Sequence, residues 1–129
     1  MTPLDLARAF LQKGDEDEVL LSKLVTDTEV SESIFGFHVQ QAAEKYIKAV
    51  LAMDASRPTR AHDLGALLEE AETLGHEIPP EIMDVQWFTP FAVQNRYPFF
   101  NPAPPIDRGG ALDLVRLTRS WAVGIVSAE

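Results

Sequence analysis

Residues 30 to 54 constrain the fold most. Phe35, Val39, Ala42, Tyr46, Ala49 and Met53 recur at steps of three and four, which is one stripe along a helix. Ala43, Ile47 and Leu51 add a second stripe beside the first. A helix that is apolar over so much of its circumference must be surrounded by other elements, so the chain needs several helices packed around this one.

The rest of the sequence supplies them. "TPLDLARAF" opens with a capping threonine and a proline in the first turn, and Leu4, Ala7, Leu11, Leu20, Leu21 and Leu24 continue at helical spacing. A helix is expected over 3–25, with a possible break at Gly14, which costs about 1 kcal/mol against alanine in a helix interior. The polar stretch 25–33 leads into the central helix. A third helix is expected over 62–74, burying Leu64, Leu67, Leu68, Ala71 and Leu74 and ending at Gly75. Pro80 starts a fourth, over 80–95, carrying Ile82, Val85, Trp87, Phe88 and Phe91, with Pro90 set to kink or end it. Residues 95–110 form a proline-rich loop whose Tyr97, Phe99 and Phe100 favour burial, and a last helix, 107–127, buries Leu112, Val115, Leu117, Trp121, Val123 and Ile125. No strand-like alternation occurs. The expected fold is all-α, an up-and-down bundle of four to five helices in a single domain spanning 1–129, long enough to bury roughly two-thirds of its unfolded surface.

Composition narrows the function. The chain has no cysteine, which excludes disulfides, thiolate metal sites and a cysteine nucleophile. Its formal charge of −9 argues against general binding to a phosphate backbone and favours a basic partner. Acid gathers at "GDEDE" and at Glu69, Glu70 and Glu72, whereas Arg57 and Arg60, and further on Arg108, Arg116 and Arg119, leave room for a local anion site. "MTPLDLARAF" lacks the apolar core of a secretory leader, and no stretch reaches the roughly 20 apolar residues of a membrane span. A soluble, cytoplasmic protein with no membrane association is expected.

The polar residues of the central helix pose the main question. His38, Gln41, Lys45 and Lys48 fall at steps of three, four and three, one ribbon along the helix. Such a ribbon is most simply a solvated face; in a central helix it can instead line a cleft or a dimer surface. Glu44 and Lys48 stand four apart in the favourable order, worth about 0.3–0.5 kcal/mol on an exposed helix. In "RPTRAH", Arg57 lies five positions before His62 with Arg60 between. Histidine can move a proton near neutral pH and arginine can neutralise a phosphorane-like transition state, so this trio has the groups for metal-independent RNA cleavage. The plainer reading makes His62 or Asp63 the cap of the third helix. The histidines are too scattered for a metal site, and no nucleotide-binding glycine loop or nucleophile elbow is present, so neither metal nor cofactor is expected. Trp87 and Trp121 read as core rather than as stacking platforms.

Taken together, "FHVQQAAEKYIKAVL", "AHDLGALLEEAETLG", "NRYP" and the terminal amphipathic helix resemble the HEPN domain family, in matching order over nearly the whole chain. The H-x-Q-Q-A-A-E-K-x-x-K-A pattern is its most specific part, supported by His62–Asp63–Leu64 and Arg96–Tyr97–Pro98. The resemblance implies a helical bundle, commonly a homodimer, often encoded beside a minimal nucleotidyltransferase in toxin–antitoxin or defence modules. Some members are metal-independent ribonucleases with an R-x(4–6)-H motif near the start of a late helix; others bind nucleotides or partners without catalysis. Here no histidine follows Arg96 or Arg108. The literal match, Arg57 to His62, precedes the third helix, and Leu64 stands where one toxin subgroup has tyrosine.

The expectation is therefore a non-catalytic HEPN-like module that binds a nucleotide, a nucleotidyltransferase-like protein, or both, through His38, Gln41, Lys45, Lys48, His62, Arg96 and Tyr97. Two alternatives stay open. One is a ribonuclease using His62 with Arg57 and Arg60 on RNA; the other is a structural dimerisation domain without ligand.

Overall fold

The computed structural model describes residues 1–54, 61–92 and 103–128. Its elements are α1 (Pro3–Leu24), α2 (Glu32–Ala52), α3 (Leu64–Thr73), a 3₁₀ segment (Pro80–Ala92) and α4 (Arg108–Ser127). Among the described residues there is no strand, and the fold is an all-α bundle.

α2 is the hub. It packs against α1, α3, the 3₁₀ segment and α4, and fourteen of its twenty-one residues are buried, as its two apolar stripes require. Phe35, Val39, Ile47 and Leu51 are fully enclosed, together with Leu21 of α1, Leu64 and Leu67 of α3, and Val115 of α4. Enclosing each large aliphatic or aromatic side chain contributes about 1.5–3 kcal/mol, so these contacts hold the bundle together.

Local chemistry sets the helix ends. Thr2 accepts from the Asp5 amide while the Asp5 carboxylate accepts from the Thr2 amide, a reciprocal box at the start of α1. Ser31 caps α2, Asp63 caps α3 and Asp107 caps α4, each accepting one orphan amide. Asp63, not His62, is thus the cap before the third helix. α3 stops at Gly75, which takes φ +99° and donates to Glu72, while the His76 amide reaches Ala71. Those two bonds across a left-handed residue satisfy the last carbonyls of the helix, and glycine takes that conformation without a Cβ clash.

The structure revises several expectations. α1 runs through Gly14 without a break, and the glycine there serves packing: the Tyr46 ring of α2 lies where a side chain at 14 would be, and a Cβ would sit 2.6 Å from Tyr46 Cε1. The fourth helix is 3₁₀ rather than α over its described part. Its buried residues, Ile82, Val85, Phe88 and Phe91, are spaced by three, which matches three residues per turn, and Pro90 has no amide to offer an α-helical bond. That register turns Trp87 off the core face, leaving it 50 % exposed although it packs edge-on against Phe88. Leu74 and Leu117 are also exposed, whereas Ala111, Thr118, Ala122 and Val126 complete the buried line of α4. Residues 93–95 of the expected helix, and Tyr97, Phe99 and Phe100 of the expected loop, lie outside the described residues.

Candidate functional site

The polar residues of α2 are organised by two carboxylates. His38 and Lys45 are seven positions apart, two helical turns, and both reach Asp17 of α1: His38 Nδ1 lies 3.0 Å from Oδ1, and Lys45 Nζ donates to Oδ2 at 2.6 Å. Burial pushes the Asp17 carboxyl up, but the hydrogen bonds from His38 and Lys45 and their charges outweigh it, so Asp17 is held below the usual range.

Glu44 is the second centre. Gln40, Glu44 and Lys48 follow at steps of four, so they form a single line on the helix. Gln40 Nε2 donates to Glu44 Oε1 at 2.8 Å and also to the His62 carbonyl at 3.1 Å, and Lys48 Nζ donates to Glu44 Oε2 at 3.0 Å. His62 Nδ1 is 2.8 Å from Glu44 Oε1, and Gln41 Nε2 joins by donating to Gln40 Oε1 at 2.8 Å. Here too burial raises the carboxyl, and the donors Gln40, His62 and Lys48 together bring it below its ordinary value. An ionised Glu44 only accepts, so the hydrogen of this bond is assigned to His62 Nδ1, and Nε2 is the ring nitrogen on the far side from Glu44.

Exposure divides the members. Glu44 and Lys48 are 7 % and 11 % exposed, whereas the His62 side chain is 64 % exposed. Glu44–Lys48 is thus an enclosed, multiply bonded pair, not the solvated surface pair that its spacing suggests. His62 is an imidazole held by one edge and open at the rest. A carboxylate behind an imidazole orients it for proton transfer at the far nitrogen, and hydrolytic sites need a cation near the same phosphate as well.

The structure brings His62, Lys48 and Gln41 into one network through Glu44 and Gln40, and places His38 and Lys45 on a different carboxylate. Arg57, Arg60, Arg96 and Tyr97 lie outside the described residues, and with them the convergence of Arg57 on His62. The C-terminal arginines do not form an anion site. Arg108 grips Glu32 at 2.7 and 2.9 Å and donates to the carbonyls of Leu24 and Asp27 at 3.0 and 2.9 Å, with its guanidinium 4.9 Å from the centre of the Phe35 ring. Arg119 donates to Asp15 at 2.7 Å, an acceptor it shares with the Tyr46 hydroxyl, and Arg116 lies 4.0 Å from Glu18. Burial and the Asp15 hydrogen bond both push the Tyr46 phenol up, so it stays protonated as the donor of that bond.

Sequence reasoning passed over Asp17 and Gln40, and took Glu44 only as the i, i+4 partner of Lys48. Gln40, Glu44 and Lys48 carry a signal in their i, i+4, i+8 spacing. Asp17 carries none, since it sits in an acidic run that reads as solvated. Among the described residues no group of three or more His, Asp or Glu side chains is arranged to hold a metal ion, and no helix is long and apolar enough to cross a membrane.

Neither the curated proteins nor the solved structures contain a match to the chain. A family match does exist, and it covers every element described above except the outermost turns of α1 and α4. With the HEPN domain profile matching residues 7–121, the chain belongs to the HEPN domain family.

Proposed function

We propose that the protein is a non-catalytic HEPN module that works by binding, as a homodimer, with a nucleotidyltransferase-like protein, a nucleotide, or both as its partner, in a toxin–antitoxin or defence setting. One observation carries the non-catalytic part. The cations of the α2 ribbon are already neutralised inside the chain, Lys45 on Asp17 and Lys48 on Glu44. A phosphate at the open edge of His62 could take Lys48 as its cation only by displacing Glu44, which would leave a buried carboxylate without its charge partner at a cost of several kcal/mol. The absence of any histidine after Arg96 points the same way.

The deciding experiment is cleavage of a mixed labelled RNA pool in EDTA by wild type, His62→Ala and Arg57→Ala. No cleavage at high protein concentration is expected. Cleavage by wild type that both substitutions abolish would overturn the proposal. Calorimetric titration with ATP and other nucleotides then addresses the ligand, and no heat at millimolar nucleotide removes that half of the reading and leaves the protein partner.

A specific observation favours the ribonuclease reading as the second. Glu44 fixes His62 Nδ1 while the ring stays 64 % exposed, the arrangement a general base requires. In that reading Arg57 or Arg60 clamps the phosphate, and the same RNA assay discriminates the two.

A further inference from the structure

Away from the two networks, the 3₁₀ segment is flanked by two recesses. One, of about 770 Å³, lies against the start of α4, with Trp87, Phe88, Ile106 and Leu114 in its lining. The other, of about 490 Å³, lies against α3 and includes Leu68 and Ile78. Met83 and Gln86 line both, so the two recesses adjoin at these side chains. Met83 and Trp87 are large apolar groups 39 % and 50 % exposed; both line the first recess, and Met83 lines the second as well. Aromatic and thioether side chains in this position are typical anchors of a protein interface.

The rim has one sign. Asp84 and Asp107 border the first recess, and Asp63, Glu69 and Glu72 the second, while among the described residues neither lining contains a lysine, arginine or histidine. Asp63 and Asp107 cap α3 and α4, so the positive helix ends offset part of their charge. Glu69, Glu72 and Asp84 are exposed and carry no such compensation. On a chain of formal charge −9, this surface repels phosphates and nucleic acid. It also opposes a second copy of itself across a two-fold axis, because like rims would face each other.

We infer that the double recess is a docking surface for a cationic amphipathic segment of a partner protein. The apolar face of that segment seats on Met83 and Trp87, and its Lys or Arg side chains reach Glu69, Glu72 and Asp84. The inference rests on the binding-module reading and names the chemistry of the partner. Apolar anchors supply affinity in such a groove, and the charged rim supplies orientation and speed of encounter.

The probe is a fluorescein-labelled, 18-residue Leu/Lys amphipathic peptide, titrated by anisotropy beside a Leu/Glu peptide of the same pattern. Glu69→Lys/Glu72→Lys is compared with Glu16→Lys/Glu29→Lys, which changes the net charge equally at sites on α1 and the α1–α2 connection; α1 touches neither α3 nor the 3₁₀ segment. Met83→Glu tests the anchor, and circular dichroism confirms that each variant is folded. The expected result is salt-sensitive binding of the Leu/Lys peptide alone, weakened at least about tenfold by the rim pair and by Met83→Glu, and less than about twofold by the control pair. Equal weakening by both charge pairs, equal binding of the Leu/Glu peptide, or no binding at millimolar peptide overturns the inference. So does a dimer in sedimentation equilibrium that Met83→Glu dissociates, since a second copy would then occupy the surface. RNA cleavage dependent on His62 would overturn the non-catalytic reading without touching this result, so the two failures are separable.

Discussion

Gly14→Ala sets helix propensity against packing. In the middle of α1 the substitution should gain about 1 kcal/mol from propensity alone. The new methyl, however, would lie 2.6 Å from Tyr46 Cε1 and 2.9 Å from Cδ1 and Cζ, where carbon atoms prefer about 3.5–4.0 Å. Tyr46 cannot retreat cheaply. It is fully buried, and its hydroxyl donates to Asp15 at 2.7 Å while Asp15 is itself held by Arg119. Overpacking of this kind costs about 1–3 kcal/mol, and stretching the hydroxyl bond costs about 1 more, so the net expectation is a loss of about 1–3 kcal/mol. Urea unfolding followed by far-UV circular dichroism measures it directly, as a lower midpoint at unchanged slope. The same substitution in the Tyr46→Leu background meets no ring and should recover the propensity gain of about 1 kcal/mol, which makes the coupling between the two sites about 2–4 kcal/mol. A Gly14→Ala protein at least as stable as wild type, or a coupling near zero, refutes the argument.

Glu44→Ala leaves the 11 % exposed Lys48 without its carboxylate and is expected to cost about 3–5 kcal/mol in urea unfolding; Glu44→Gln keeps an acceptor and should cost less, about 1–3 kcal/mol. Asp17 and Glu44 have ordinary carboxyl values of 3.8 and 4.5, and both are lower in the folded protein despite burial, through His38 and Lys45 on one and Gln40, His62 and Lys48 on the other. A lowered folded value stabilises above the unfolded value and is lost as pH falls through the folded one, so thermal midpoints should drop as pH falls through and below about 4; Asp17→Asn should start lower at neutral pH and fall less steeply. Arg108→Lys cannot reproduce a fork that holds Glu32 together with the Leu24 and Asp27 carbonyls, and should cost about 2–4 kcal/mol with faster amide exchange in the α1–α2 connection.

Helix periodicity is a local property, and it made α2 and most of its buried face readable from sequence. Capping chemistry did the same for Thr2 and Gly75. Trp87, Leu74 and Leu117 were misread because an apolar residue declares that it favours burial but not which face its neighbours cover. At Trp87 the deciding fact was a three-residue period between prolines, visible in Ile82, Val85, Phe88 and Phe91 once an α-helix is not assumed. The site was harder to read. Asp17 meets Lys45 across 28 positions, and Arg108 meets Glu32 across 76, so neither partner can be named before the helices are docked. Even then each is one acid among many that the sequence presents as solvated.

The polar groups of α2 and the apolar groups of the 3₁₀ segment have exchanged the roles their composition suggests. A central helix with Gln40, Glu44 and Lys48 nearly enclosed is stable only if each is bonded in one arrangement, since a buried charge without its partner costs more than the pair contributes. That requirement ties α2 to α1 through Asp17 and to the entry of α3 through His62, so the ribbon fixes how the helices dock. Groups committed in this way are poorly available to a ligand. Met83 and Trp87, by contrast, are apolar and exposed with an acidic rim around them, and covering them would remove apolar area from water without breaking a bond inside the chain. A partner therefore gains more from the 3₁₀ surface than from the ribbon. Substitutions in the ribbon should lower stability before they touch binding, and substitutions at Met83 or Glu72 should do the reverse.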